Sequence, residues 1–166
     1  MGPEPDGTAV ALDVTVFRPG GLGQHSEPWS AVLLAHGFGG SKADLVERGR
    51  DLASRGYLVL GYSARGFGAS GGRILLHEPA YEIADARALV SLLAARSDVL
   101  LDAPGDPHVG VVGASYGGAL AIMLGATDPQ AARSAIMGYL LPINAHTLIE
   151  ILQGASTYVG GQPPMD

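Results

Sequence analysis

Hydrophobic and polar positions alternate over 9–17, with Val10, Leu12, Val14 and Val16 on one side, which predicts a half-buried antiparallel strand. The next segment, 18–29, carries Pro19, Pro28, Gly20, Gly21 and Gly23 and is expected to be a loop. Over 31–35 the run Ala-Val-Leu-Leu-Ala is continuously apolar, as a parallel strand covered on both faces requires. A helix is predicted from Ser41 to about 54, because Ser41 followed three residues later by Asp44 makes an N-cap pair. Gly56 ends that helix, a strand follows over 57–62, and 63–72 is a glycine-rich loop. A second helix is predicted from Pro79 or Ala80 to about 96, with Ala84, Ala88, Leu89, Leu92 and Leu93 as its apolar stripe. A polar turn over 98–107 carries Pro104 and Gly105, and 109–112 is a buried strand. A helix of small apolar residues over 118–125 follows, then a strand over about 134–140 and a short helix over about 144–152.

Strands alternating with helices at this spacing predict a mostly parallel sheet covered on both faces. In such sheets ligands bind at the carboxyl ends of the strands. His36, Gly37, Phe38, Arg65 and Ser115 all fall at those ends. The 166 residues suit one domain with a core of its own, expected over 9–153. Residues 1–8 are expected to be loose, and the Gly- and Pro-rich 154–166 to be a tail.

Composition removes several classes of function. The net charge of -6, without a basic run, argues against a nucleic-acid partner. The absence of cysteine excludes disulfides, thiolate metal sites and a cysteine nucleophile. The N-terminus lacks a basic start and apolar core, and no apolar run reaches membrane-spanning length, so a cytoplasmic chain without membrane contact is expected.

The candidate chemistry centres on Gly113-Ala114-Ser115-Tyr116-Gly117, set between a predicted strand and a predicted helix. Strand, Gly-x-Ser-x-Gly, helix is the context of a nucleophile elbow. A serine at the apex of so sharp a turn leaves no room for side chains two positions before or after it, which is why Gly113 and Gly117 are glycines. The turn also leaves the Tyr116 amide at the start of a helix, where it can face a developing oxyanion. A second donor is expected from the His36-Gly37-Phe38 loop, through the amide of Phe38 or a neighbour. His36 itself is expected to brace that loop.

Two other glycine patterns are weaker. Ser70 also stands in Gly-x-Ser-x-Gly, but eight residues past its strand and with no helix following, so it reads as a loop residue. The run from Gly66 to Gly71 matches a dinucleotide fingerprint, yet it too opens no helix, which makes nucleotide binding a minor alternative. Arg65 either binds a substrate carboxylate or stabilises its own turn.

The stretches His36-Gly-Phe-Gly-Gly-Ser-Lys42, Tyr62-x-x-Arg65-Gly-x-Gly-x-Ser-Gly-Gly72 and Gly113-x-Ser115-Tyr-Gly-Gly118 resemble the α/β-hydrolases. Within them the chain is most similar to the Xaa-Pro dipeptidyl-peptidase-like branch, which includes peptidase S15 and cocaine esterase, over about 8–130. The resemblance implies a three-layer α/β-hydrolase fold and a serine hydrolase acting on a small ester or prolyl-type peptide substrate. It implies Ser115 as nucleophile and amides at Tyr116 and Phe38 around the oxyanion, with no metal or organic cofactor.

A serine needs a histidine to take its proton and a carboxylate to orient that histidine. In this superfamily both follow the serine, on two further strands, and the residues after Ser115 are expected to lack them. Asp128 is expected beyond the far end of the post-elbow helix. His146, with Glu150 one helical turn on, is the candidate base. A sheet missing its last two strands would expose the 134–140 edge to self-association. A non-catalytic module on the hydrolase fold is therefore the alternative to an enzyme.

Overall fold

The computed structural model describes residues 4–20, 26–127 and 136–139. Its centre is the apolar run Ala31–Ala35 (β2), a strand in which every residue is buried. β2 is flanked by two parallel partners, Leu58–Tyr62 (β3) and Val109–Ala114 (β6). Val14–Phe17 (β1) pairs antiparallel with β3, and Ile136–Tyr139 (β7) pairs parallel with β6. Among the described residues the sheet therefore runs β1-β3-β2-β6-β7.

Strand geometry sends successive side chains to opposite faces, and the two faces are covered by different helices. Val32, Leu34 and Val59 meet helix Val46–Ser54 (α1) through Leu52 and Ala53. Ala31, Leu33, Leu58, Leu60, Val109 and Val111 meet helices Ala84–Ala94 (α2) and Tyr116–Thr127 (α3). These are the three layers expected. Leu33, Leu58 and Leu60 have no exposed surface, and each contributes about 2 kcal/mol by its burial. α1 approaches the sheet at Gly49, where a Cβ would strike the Phe17 ring at 2.5 Å.

Local chemistry starts and stops these elements. Ser41 Oγ accepts from the Ala43 amide and Asp44 Oδ2 accepts from the Ser41 amide, the reciprocal cap expected at that position. The cap opens a 3-10 turn, Lys42–Leu45, that leads into α1. Pro79–Ile83 is a π-helical turn leading into α2.

Four expectations are corrected. The first strand is only four residues long, because its amino-terminal half pairs with the loop after β3, where the Gly71 amide donates to Ala11. The buried side of α2 is Asp85, Ala86, Leu89, Val90 and Leu93, turned from the expected stripe so that Leu92 is 45% exposed. The turn over 98–107 contains a hairpin, Leu101–Ala103 (β4) with Asp106–Pro107 (β5), around Gly105 at φ 77°. Glu4, within the segment expected to be loose, is buried and paired with Arg65 and Arg73. The expected helix over 144–152 and the tail lie outside the described residues. No helix among the described residues is long and apolar enough to cross a membrane.

Candidate active site

Register brings the loops after β2, β3 and β6 to one level. Ala35 pairs with Tyr62 on one side and with Gly113 on the other, so β2, β3 and β6 deliver His36, Ser63 and Ser115 to the same end of the sheet.

Ser115 stands alone between β6 and α3 at φ 52°, left-handed backbone for a residue with a side chain. The glycines around it explain how so tight a turn closes. A Cβ on Gly113 would lie 2.4 Å from the Gly117 backbone, and a Cβ on Gly117 would lie 2.4 Å from the Ala35 carbonyl oxygen. Both contacts are with backbone, so nothing can swing aside. The first bond of α3 runs from the Ala119 amide to the Ser115 carbonyl at 2.9 Å. The Tyr116 amide precedes it, among the helix N–H groups that have no intrahelical acceptor.

Both ring nitrogens of His36 are engaged by backbone. Its Nε2 accepts from the Ala64 amide at 2.9 Å, which makes Nδ1 the donor to the Gly37 carbonyl at 2.7 Å. Both nitrogens are committed, and the ring ties the loop after β2 to the loop after β3. Burial lowers the pKa of His36, partly opposed by its bond to Gly37 and by Asp44. Gly37 has room around it: a Cβ there would meet only the Ala114 carbonyl, at 3.9 Å.

Aromatic rings frame the turn. Phe38 is 38% exposed and meets Phe67 and Tyr116 edge-on at 5.3 and 5.6 Å. Phe67 also meets His36 at 5.2 Å. Between the two loops opens a cavity of about 260 Å³ walled by Phe38, Phe67, Ile74 and glycine backbone at Gly66 and Gly68.

The competing patterns resolve as loop structure. Ser70 Oγ donates to the Ser63 carbonyl and accepts from the Asp13 amide. Gly66 to Gly71 close a turn through the bond from Gly66 N to Gly71 O, and no helix begins there. Of the two readings of Arg65, the structure favours the structural one: Nε and Nη2 bind both oxygens of Asp85 at 2.7 and 2.9 Å, and Nη1 lies 3.4 Å from Glu4.

Three residues escaped the sequence reading. His77 is buried against Tyr116, Glu82 is buried in the turn before α2 and accepts from the Leu75 amide, and Asp85 partners Arg65. Glu82 left a trace, since 82, 86, 89 and 93 share a helix face and the last three are apolar. His77 left none. His108 pairs with Asp102 at the amino end of β6, a strand's length from Ser115. His146, Glu150 and Asp128 lie outside the described residues. No group of three or more His, Cys, Asp or Glu among the described residues is placed to hold a metal.

A search of curated proteins finds no match. Among solved structures, the α/β hydrolase GrgF from Penicillium sp. sh18 superposes with TM-score 0.68 at 22% identity, over 98% of this chain and 55% of that one. Est1E from Butyrivibrio proteoclasticus, with ferulic acid bound, superposes with TM-score 0.61 at 20% identity, over 93% and 56%. Rv0554 from Mycobacterium tuberculosis superposes with TM-score 0.66 at 20% identity, over 97% and 52%. The chain thus spans about half the length of these structures. Identities this low establish the fold alone, which is that of the α/β-hydrolases. A family model matches residues 6–140, most of the chain, and its description supplies the finer placement. The chain belongs to the X-Pro dipeptidyl-peptidase (S15) family of α/β-hydrolases.

Proposed function

We propose that the chain carries the nucleophile and oxyanion side of a serine hydrolase acting on an ester or prolyl-type peptide bond. Ser115 Oγ attacks the carbonyl carbon and gives up its proton to a base. The carbonyl oxygen takes the negative charge and is met by the Tyr116 and Phe38 amides. Collapse expels the alcohol or amine, which receives the proton, and water then releases the acid from Ser115. The base in this reading is His146, oriented by Glu150. Membership of a peptidase family and the hydrolase fold support the class of reaction.

The observation that carries the reading is the backbone of Ser115, held at φ 52° between two glycines that admit no Cβ. Strain of this kind gathers where a side chain must be presented rather than packed. The cavity beside Phe38 suits a short or aromatic acyl group, and the ferulic acid bound in Est1E is an acid of that class.

The test is labelling of the purified chain with a fluorophosphonate probe, with Ser115→Ala as control. Modification at Ser115 that is lost in the variant is expected. A folded chain that takes no label overturns the reading, and leaves a non-catalytic module on the hydrolase fold.

A further inference from the structure

The connection between β3 and α2 holds two consecutive non-glycine residues in left-handed backbone, Leu76 at φ 56° and His77 at φ 65°. Each such residue costs on the order of 1 kcal/mol, and the pair survives only where its surroundings determine it. Two contacts do so. Glu82, 2% exposed in the π-helical turn, accepts a hydrogen bond from the Leu75 amide and so pins the chain immediately before the strained pair. His77, 6% exposed, lies on the Tyr116 ring with centroids 3.8 Å apart and planes inclined by 28°.

Tyr116 is the residue after Ser115. It opens α3, and its hydroxyl is buried. Tyr116 meets Phe38 and Phe67 only edge-on, at 5.6 and 5.7 Å. Face contact comes from His77.

We propose that His77 is a positioning residue for the nucleophile turn: stacked on Tyr116 and held through Glu82, it fixes the first residue of α3 and with it the amide beside Ser115. The inference rests on the roles given to Ser115 and Tyr116 above.

The surroundings favour a neutral stack. Burial drives the His77 imidazole down to about 4, against a smaller pull from the Tyr116 backbone. Burial also raises Glu82, opposed by its bond to Leu75, and raises the Tyr62 and Tyr116 hydroxyls. Both His77 nitrogens, Glu82 Oε2 and the two hydroxyls are buried without a hydrogen-bond partner. The nearby charges, Arg65 and Asp85, satisfy each other through two hydrogen bonds. A proton added to His77 would therefore find only the Tyr116 backbone, whose pull is smaller than the cost of burial.

The test compares the whole chain with His77→Asn, which tolerates left-handed backbone but removes the ring, and with His77→Phe, which restores a ring. Hydrogen exchange of the Ala119 amide, the first bond of α3, reports the turn whether or not the serine reacts. In His77→Asn it is expected to quicken about tenfold more than the slowest sheet amides do, and in His77→Phe to return close to the parent rate. Labelling by the fluorophosphonate should follow the same order, through a slower inactivation step at unchanged probe affinity. Ala119 exchange that moves only in step with the sheet amides overturns the proposal. If His77→Asn does not fold, Tyr116→Leu removes the opposite ring and is judged by the same amide. If the parent chain takes no label, the hydrolase reading falls while the exchange comparison still decides the role of His77.

Discussion

Gly117 and Gly37 lie on neighbouring loops of the site, yet a methyl group would mean different things at each. At Gly117 it meets the Ala35 carbonyl carbon and oxygen at 2.7 and 2.4 Å and the His36 carbonyl oxygen at 2.8 Å, all of it backbone of the central strand and its exit. At Gly37 its nearest neighbour is 3.9 Å away, an ordinary contact. Gly117→Ala is expected to lose about 3 kcal/mol or more in urea unfolding, the upper end of overpacking costs, while Gly37→Ala stays within about 1 kcal/mol. Equal losses would mean that the elbow has slack which the geometry denies. The position of Ser115 was legible because this crowding leaves a mark in the sequence: only glycine fits at 113 and 117. His77 was not legible, because a ring stacked on a ring imposes no spacing, and no pattern links residue 77 to residue 116.

At the scale of elements, the connection from β3 into α2 is organised by charge rather than by periodicity. The Arg65 guanidinium has no exposed surface, is gripped by both oxygens of Asp85, and carries the Tyr81 ring 5.2 Å from its centre. Glu4 joins from the N-terminal segment and also accepts from the Arg73 amide at 2.8 Å. Asp85 occupies a buried position of α2, which is why the helix is turned from the apolar stripe read in the sequence and leaves Leu92 outside. Periodicity assumes that the inward face is apolar, and an inward carboxylate defeats it. The β4–β5 hairpin escaped for a related reason: Leu101, Asp102 and Ala103 are all exposed, so no alternation marks the strand. Breaking one side of a buried ion pair strands the other charge. Asp85→Asn is therefore expected to cost about 3–5 kcal/mol, and the double replacement Arg65→Met with Asp85→Leu to cost clearly less than that single change. A thermodynamic cycle from urea melts checks this. If the two single losses simply add in the double variant, the pair does not act as a unit.

At the scale of the whole molecule, the response to acid gathers these features into one measurement. Two histidines at the carboxyl end of the sheet, His36 and His77, are buried and held below the ordinary histidine value, His77 at about 4. Below pH 6.5 the unfolded chain takes up protons at both positions, whereas the folded chain refuses them until the pH falls to the lowered values. Stability must therefore fall as the pH drops through this window. For His77 alone the loss accumulates to on the order of 3 kcal/mol by about pH 4. Glu82 acts with the opposite sign: burial raises it, so the folded state holds its proton more tightly and gains stability as the pH falls toward 4.5. Asp98, lowered chiefly by its bonds to Arg96, contributes stability that is lost only below its ordinary value of 3.8, outside the window. Urea melts of the parent chain and of His77→Phe between pH 7 and pH 4.5 separate these contributions. The parent should lose stability more steeply than the variant, because phenylalanine keeps the ring and has nothing to titrate. Parallel curves would place the acid sensitivity elsewhere, with the nitrogens of His77 already reached by water.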